Sequence, residues 1–374
     1  MKVKNRYELY NKFNDIMNSV YVNRRDEQKQ NYNQNMVKTY LLEGHINENS
    51  NPSHDDFMKF FREYINSVDH EIEFNETEDE YLFQLLFNDV EFFLDAEVDR
   101  RFFMLHTSEK TERSDKELSH LIKEMPNFDN IWLTRKMMLL TNEFASWRGV
   151  TLKHEELDIN DLKFEPDSLN LKANTSESRI KNLIELLNGN NDFYHSTGIY
   201  RLRLKSQEKD ITTRILDDLR YDGKFSTRGN SFNRHLWLVN KIYSEYKKLI
   251  KNIEKHYTIS FNKGTLEGLP INIEFKRNDL NVKYIIETIF SHKKPFRLWG
   301  FPEKISDDYY KVYAVDLHNG NKGNKINFEV SSNFITVYLP SGNCGNTIAR
   351  LICNIQRYLD SQVSVWGGND DDLF

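Results

Sequence analysis

Residues 81–107, YLFQLLFNDVEFFLDAEVDRRFFMLHT, decide the fold class of this 374-residue chain. The apolar runs at 81–87, 90–96 and 100–107 read as successive strands, with Asn88-Asp89 as the turn between the first two. Upstream, the period is that of a helix. Tyr7, Tyr10, Phe13 and Met17 recur at helical spacing, and Phe57, Phe60, Phe61 and Tyr64 do so again. A polar interruption at 47–53 separates the two sets, and Ser53 followed by Asp55 and Asp56 marks a helix start. Residues 4–70 are therefore expected to be helical.

Downstream, Ser114 and Glu117 have the spacing of a capping box for a helix over 114–125. Strands are expected at 149–155, 161–172 and 199–205, a helix at 176–187, and a long helix at about 231–256. Two glycines at 264 and 268 mark a compositional seam. Beyond it the pattern gives a strand at 271–275, a helix at 282–290 and a strand at 296–300. Hairpin-linked strands at 311–318, 326–330 and 335–340 follow, then a helix at 347–358. The expected class is mixed α+β: a helical N-terminal segment leading into an α/β region, then a smaller C-terminal α+β domain with an antiparallel strand meander and two helices. The expected bounds are 1–262 and 263–366, with 367–374 as a flexible acidic tail.

Composition narrows the function classes. Hydrophobic residues at 39% and aromatics at 13% sustain real cores and exclude wholesale disorder. Two cysteines exclude a disulfide scaffold. Mean hydropathy is −0.70, and no apolar run approaches the roughly 20 residues of a membrane span. A cytoplasmic protein without a membrane segment is expected. Abundant Asn, Lys, Ile, Tyr and Phe beside only 7 Pro and 15 Gly indicate AT-rich coding, hence the expectation of a bacterial or phage source. The net charge of −6 is unevenly spread: ten acids and no Lys or Arg lie in 71–98, and fourteen bases face seven acids in 201–255.

Five motifs carry chemistry. Arg228 and His235 are the best placed of four Arg-to-His spacings, with His235 opening the long helix. The pair resembles the Arg-x4–6-His signature of HEPN-type ribonucleases, in which imidazole and guanidinium assist attack of a 2′-hydroxyl on phosphate. That resemblance implies a metal-independent ribonuclease, although Gly229 stands where the family usually has a polar residue. Cys344 and Arg350 fit C-x5-R between a strand and a helix. This is similar to the cysteine-dependent phosphatases, and it implies a phosphate cradle or an anion-binding loop with Asp307 or Asp308 upstream as the acid. The usual loop glycine is Thr347 here. Glu274-Phe275-Lys276 has the acid-x-Lys pattern of metal-dependent nucleases, with Glu267 as the nearby second carboxylate. No HExxH and no C-x2-C occur, so neither a metal nor a cofactor is expected.

The other two motifs concern binding. Lys241, Lys247, Lys248, Lys251 and Lys255 on the long helix, with Tyr243, Tyr246 and Tyr257 interleaved, are placed to track a phosphate backbone. The terminus GGNDDDLF resembles the acidic tip of bacterial single-stranded-DNA-binding proteins. This implies a protein partner held through Asp370, Asp371, Asp372 and Phe374. The expected role is a non-catalytic interaction component of a complex in nucleic-acid metabolism or host defence. The alternatives are the Arg/His ribonuclease and the C-x5-R phosphatase or anion site.

Overall fold

The computed structural model describes residues 3–26, 36–45, 52–67, 72–125, 128–157, 168–206, 213–318, 323–368 and 372–373. In chain order the elements begin with α1 (Arg6–Asp26), β1 (Val37–Gly44), α2 (His54–Ser67), β2 (Ile72–Glu76), β3 (Leu82–Phe87), β4 (Val90–Asp95) and β5 (Phe102–Thr107). Then come α3 (Thr111–Glu124), β6 (Phe128–Asn130), α4 (Arg135–Leu140), β7 (Ala145–Glu155), β8 (Ser168–Ala173), α5 (Glu177–Asn188) and β9 (Ile199–Ser206). The hairpin β10 (Ile215–Arg220) and β11 (Lys224–Gly229) leads into α6 (Phe232–His256). The rest is β12 (Thr258–Asn262), β13 (Thr265–Glu267), β14 (Ile271–Glu274), α7 (Val282–Ile289), β15 (Leu298–Ser306) and β16 (Tyr309–Asp316). It closes with β17 (Asn324–Ser331), β18 (Phe334–Pro340), α8 (Asn346–Tyr358) and β19 (Ser364–Gly367).

The fold is α+β, with helices and largely antiparallel strands. The chain forms two compact units that do not follow a single cut. Unit 1 is Met1–Ile131, Asn142–Ser146 and Arg203–Tyr243; unit 2 is Trp132–Thr141, Trp147–Leu202 and Ser244–Phe374. The seam at 261–269, expected to divide domains near 262, is instead the β12–β13 hairpin inside unit 2. Its turn residues Lys263 and Gly264 both have positive φ, so the glycine-rich composition reports a tight turn and not a linker.

Unit 1 is built on an antiparallel sheet in the order β2-β3-β4-β5-β1-β11-β10. The hairpin expected at Asn88-Asp89 is present, with φ of 46° and 62° at the two residues. One face carries Tyr40, Leu42, Phe83, Leu85, Phe92, Phe103 and Leu105 against Phe57 and Phe61 of α2 and Leu118 and Leu121 of α3. Each buried aromatic or leucine contributes about 1.5–3 kcal/mol. On the other face Phe13 of α1 meets Phe93, His106 and Phe232.

Two expectations are corrected here, and one hairpin is added. Residues 37–44 were expected to be helical and are the strand β1, paired with both β5 and β11. Every one of its residues is buried, so it lacks the alternation that advertises a strand. The capping box at Ser114 does not form: α3 starts earlier, and Ser114 lies inside it, donating to Lys110 O and accepting from Tyr40 Oη at 2.8 Å. The β10–β11 hairpin was not anticipated at all.

In unit 2, β7 pairs with β8. A second sheet runs β13-β12-β18-β17-β16-β15, with β14 bridging β18 and β19. The expected meander is β15–β18, antiparallel throughout. Its inner face buries Leu298, Val312, Ile326, Phe328, Ile335 and Val337. The tail is not wholly free: Trp366 of β19 bridges Asp372, and buried Leu373 donates its amide to Val365 O at 3.0 Å.

Candidate functional site

The polar centre of unit 1 converges from four strands and a helix. Register sets Thr39 of β1 opposite His106 of β5, and Asp217 of β10 opposite Thr227 of β11. The first turn of α6 lowers His235 onto this row. His235 Nδ1 lies 2.8 Å from Asp217 Oδ1 and 2.8 Å from Thr227 Oγ1, and Thr227 also donates to Asp217. On the far side of the ring, His235 Nε2 is 2.8 Å from Thr39 Oγ1, which is 2.9 Å from His106 Nδ1. The result is a chain Asp217–His235–Thr39–His106, closed off from solvent at every member.

Chemically, hydroxyl–imidazole–carboxylate is the connectivity that activates a nucleophile. Here Phe225 and Phe232 pack on the His235 ring, and Phe13 and Phe232 on His106. Burial, reinforced by His235, pushes His106 down to about 3, so it stays neutral at ordinary pH. The network ties α6 to the sheet.

Arg228 does not join it. Neighbouring residues of a strand point to opposite faces, so Thr227 and Arg228 diverge, as do Asp217 and Asp218. Arg228 Nη2 donates to Asp218 Oδ2 at 3.0 Å, and Arg203 Nε reaches Oδ1 of the same carboxylate at 2.7 Å. The expected Arg228–His235 pair is therefore divided by the sheet. Gly229 between them answers to the backbone: its φ is 145°, and a Cβ there would fall 1.9 Å from Arg214 O.

The Cys344–Arg350 loop is also otherwise engaged. Arg350 is buried, donates to Phe296 O at 3.0 Å and pairs with Asp316. Asp316 also accepts from Thr347 Oγ1 at 3.2 Å. The Gly345 amide, which a phosphate would need, donates to Glu254 at 2.9 Å. Cys344 is buried, and its sulfur accepts from the Asn346 amide at 3.3 Å. Asp307 and Asp308 lie at the β15–β16 turn, held by Lys304 and Ser332 at 2.8 Å each. Glu274 and Lys276 form an ion pair with each other.

Along α6, Lys241, Lys248, Lys251 and Lys255 are exposed and Lys247 is half-buried. Lys248 pairs with Glu245 at 2.7 Å. The three tyrosines expected among them, Tyr243, Tyr246 and Tyr257, are buried instead; Tyr243 donates to Phe103 O at 3.1 Å. Sequence reasoning passed over the ring that is available, Trp237. It is 38% exposed, with the Arg234 guanidinium 3.8 Å and the Lys241 ammonium 5.8 Å from its centroid. The signal was present: Arg234, Trp237 and Lys241 are spaced by three and four residues on one helix face. At the terminus, Asp372 pairs with Lys136 of unit 2 at 2.6 Å. Asp370, Asp371 and Phe374 lie outside the described residues.

The geometry defines an α+β protein in which the His235 network and the Arg350–Asp316 pair are enclosed, while Arg234 and Lys241 flank one partly exposed ring. No helix among the described residues is long and apolar enough to cross a membrane. The chain belongs to the MJECL33-like protein family, whose sequence model matches residues 1–374. It is similar to the uncharacterized protein MJECL33 of Methanocaldococcus jannaschii, at 28% identity over 399 residues, covering 96% of this chain and 93% of that relative.

Proposed function

We propose that this protein works by binding, as a component of an assembly that handles nucleic acid, and that Arg234, Trp237 and Lys241 form a contact surface. The carrying observation is the guanidinium held 3.8 Å over a partly exposed indole. A cation laid on an aromatic face presents a stacking plane and a phosphate partner together. The net charge of −6 makes such attraction local and strongly screened by salt. The enclosed His235 and the Arg350–Asp316 pair agree with this reading, because neither is open to a substrate.

The test is fluorescence anisotropy with labelled single-stranded RNA and DNA across a salt series. Trp237→Ala is expected to weaken binding by roughly tenfold to a hundredfold. Arg234→Ala with Lys241→Ala should flatten the salt slope by about one unit for each phosphate no longer neutralised. Binding by both variants at the wild-type level rejects this surface. The RNA is expected to stay intact on a denaturing gel, and cleavage that His235→Ala abolishes in a folded protein would restore the ribonuclease reading.

A further inference from the structure

The meander of unit 2 has an outer face that the sequence analysis did not single out. Trp299 is 62% exposed, Phe301 74% and Tyr313 51%, all on the side opposite the buried core. Register places them together. Phe301, Tyr313, Asn327 and Tyr338 form one row across β15, β16, β17 and β18. Trp299, Val315 and Lys325 form the next. Residues i and i+2 of a strand are about 7 Å apart on one face, and strands are about 4.8 Å apart. Trp299, Phe301 and Tyr313 are thus neighbours on a continuous apolar surface.

The charges on this face are unevenly spread. Beside Trp299 the chain from Ser291, which bridges Trp299, carries exposed His292, Lys293 and Lys294, and Lys325 is exposed on the same row. At the opposite end Tyr309 and Tyr338 hydrogen-bond Glu329, and Asp307 closes the turn. Cations therefore gather at the Trp299 edge of the rings, while the other edge is mixed, with Lys311 between Glu303 and Glu329 and Lys304 paired with Asp307.

We propose that this face is a stacking platform for single-stranded nucleic acid, with bases on Trp299, Phe301 and Tyr313 and the phosphates led along the Lys293, Lys294 and Lys325 edge. Open antiparallel sheets with surface aromatics stack two or three splayed bases, whereas a duplex keeps its base faces covered. The edge strand is protected against pairing with another strand by Pro302, which has no amide to donate. This platform extends the binding role proposed above to a second surface and does not depend on Trp237.

The experiment uses the full chain with a bromouridine-substituted single strand, ultraviolet crosslinking and peptide mapping. Anisotropy is measured in parallel on wild type, Trp299→Ala/Phe301→Ala and Trp237→Ala. All three substituted side chains are partly exposed, so thermal midpoints are expected to hold. Crosslinks in 298–316, with affinity reduced about tenfold or more in the double variant, are the expected result, and a duplex competitor should fail to displace the single strand. Crosslinks confined to α6, with binding lost only in Trp237→Ala, overturn the platform while leaving the proposed function standing. Equal competition by duplex overturns it too. A wild-type dimer by light scattering that the double variant converts to monomer, with nucleic-acid binding unchanged, assigns the face to a second copy of the chain and also overturns it.

Discussion

Replacing His235 with alanine lowers the folding free energy by about 3–5 kcal/mol, because it empties a fully buried ring site between Phe225 and Phe232 and leaves Asp217 and Thr39 short of a hydrogen-bond partner. Thr227 still donates to Asp217, which sets the lower end of that range. Urea midpoints with an unchanged m-value measure the loss. A cost below about 1 kcal/mol would show that the imidazole is not held in the network described. The same cluster predicts the direction of acid instability. His106 has an ordinary value of about 6.5 when unfolded and is pushed down to about 3 when folded. Between those values the unfolded chain binds a proton that the folded chain refuses. Stability contributed by neutral His106 is complete above about pH 6.5 and is lost as pH falls toward 3, at up to about 1.4 kcal/mol per pH unit. His106→Leu should flatten that slope between pH 6.5 and 5, since Thr39 retains His235 as partner.

The ease of reading each element follows from where its information resides. Asn88-Asp89 carries its own turn chemistry, so β3 and β4 are visible in isolation. Helix α6 announces itself through buried Leu238, Ile242, Tyr246, Ile250 and Ile253 at helical spacing. Strand β1 does not. Thr39 faces α6 while Tyr40 meets α3, so both faces are covered and the period of two vanishes. Missing β1 also hid the site, because Thr39 is the link between the two histidines. Thr39 and His106 are far in sequence from Asp217 and His235, and the order β5-β1-β11-β10 brings the four together. The spacing from Arg228 to His235 suits a pair only where one helix carries both. A strand ends at Gly229 and a helix begins at Phe232, and that change of element turns the two side chains to opposite faces of the sheet.

Arg350 supplies the second large effect. Arg350→Ala is expected to cost about 3–5 kcal/mol, since it strands Asp316 in the interior with Thr347 as its remaining side-chain donor. Replacing both partners by apolar residues of similar size, Asp316→Leu with Arg350→Met, should recover most of that loss. A buried ion pair contributes little beyond the penalty of breaking it. Cys344→Ser should cost far less, because a serine hydroxyl can also accept the hydrogen bond that the Asn346 amide gives to Cys344 Sγ at 3.3 Å. An anion-binding loop gives the opposite ranking. Arg350→Ala would then leave the urea midpoint nearly unchanged, and inorganic phosphate would raise the wild-type midpoint but not that of the variant. The Glu254 carboxylate at the Gly345 amide argues for the first ranking: an anion already occupies that donor, and it belongs to the protein.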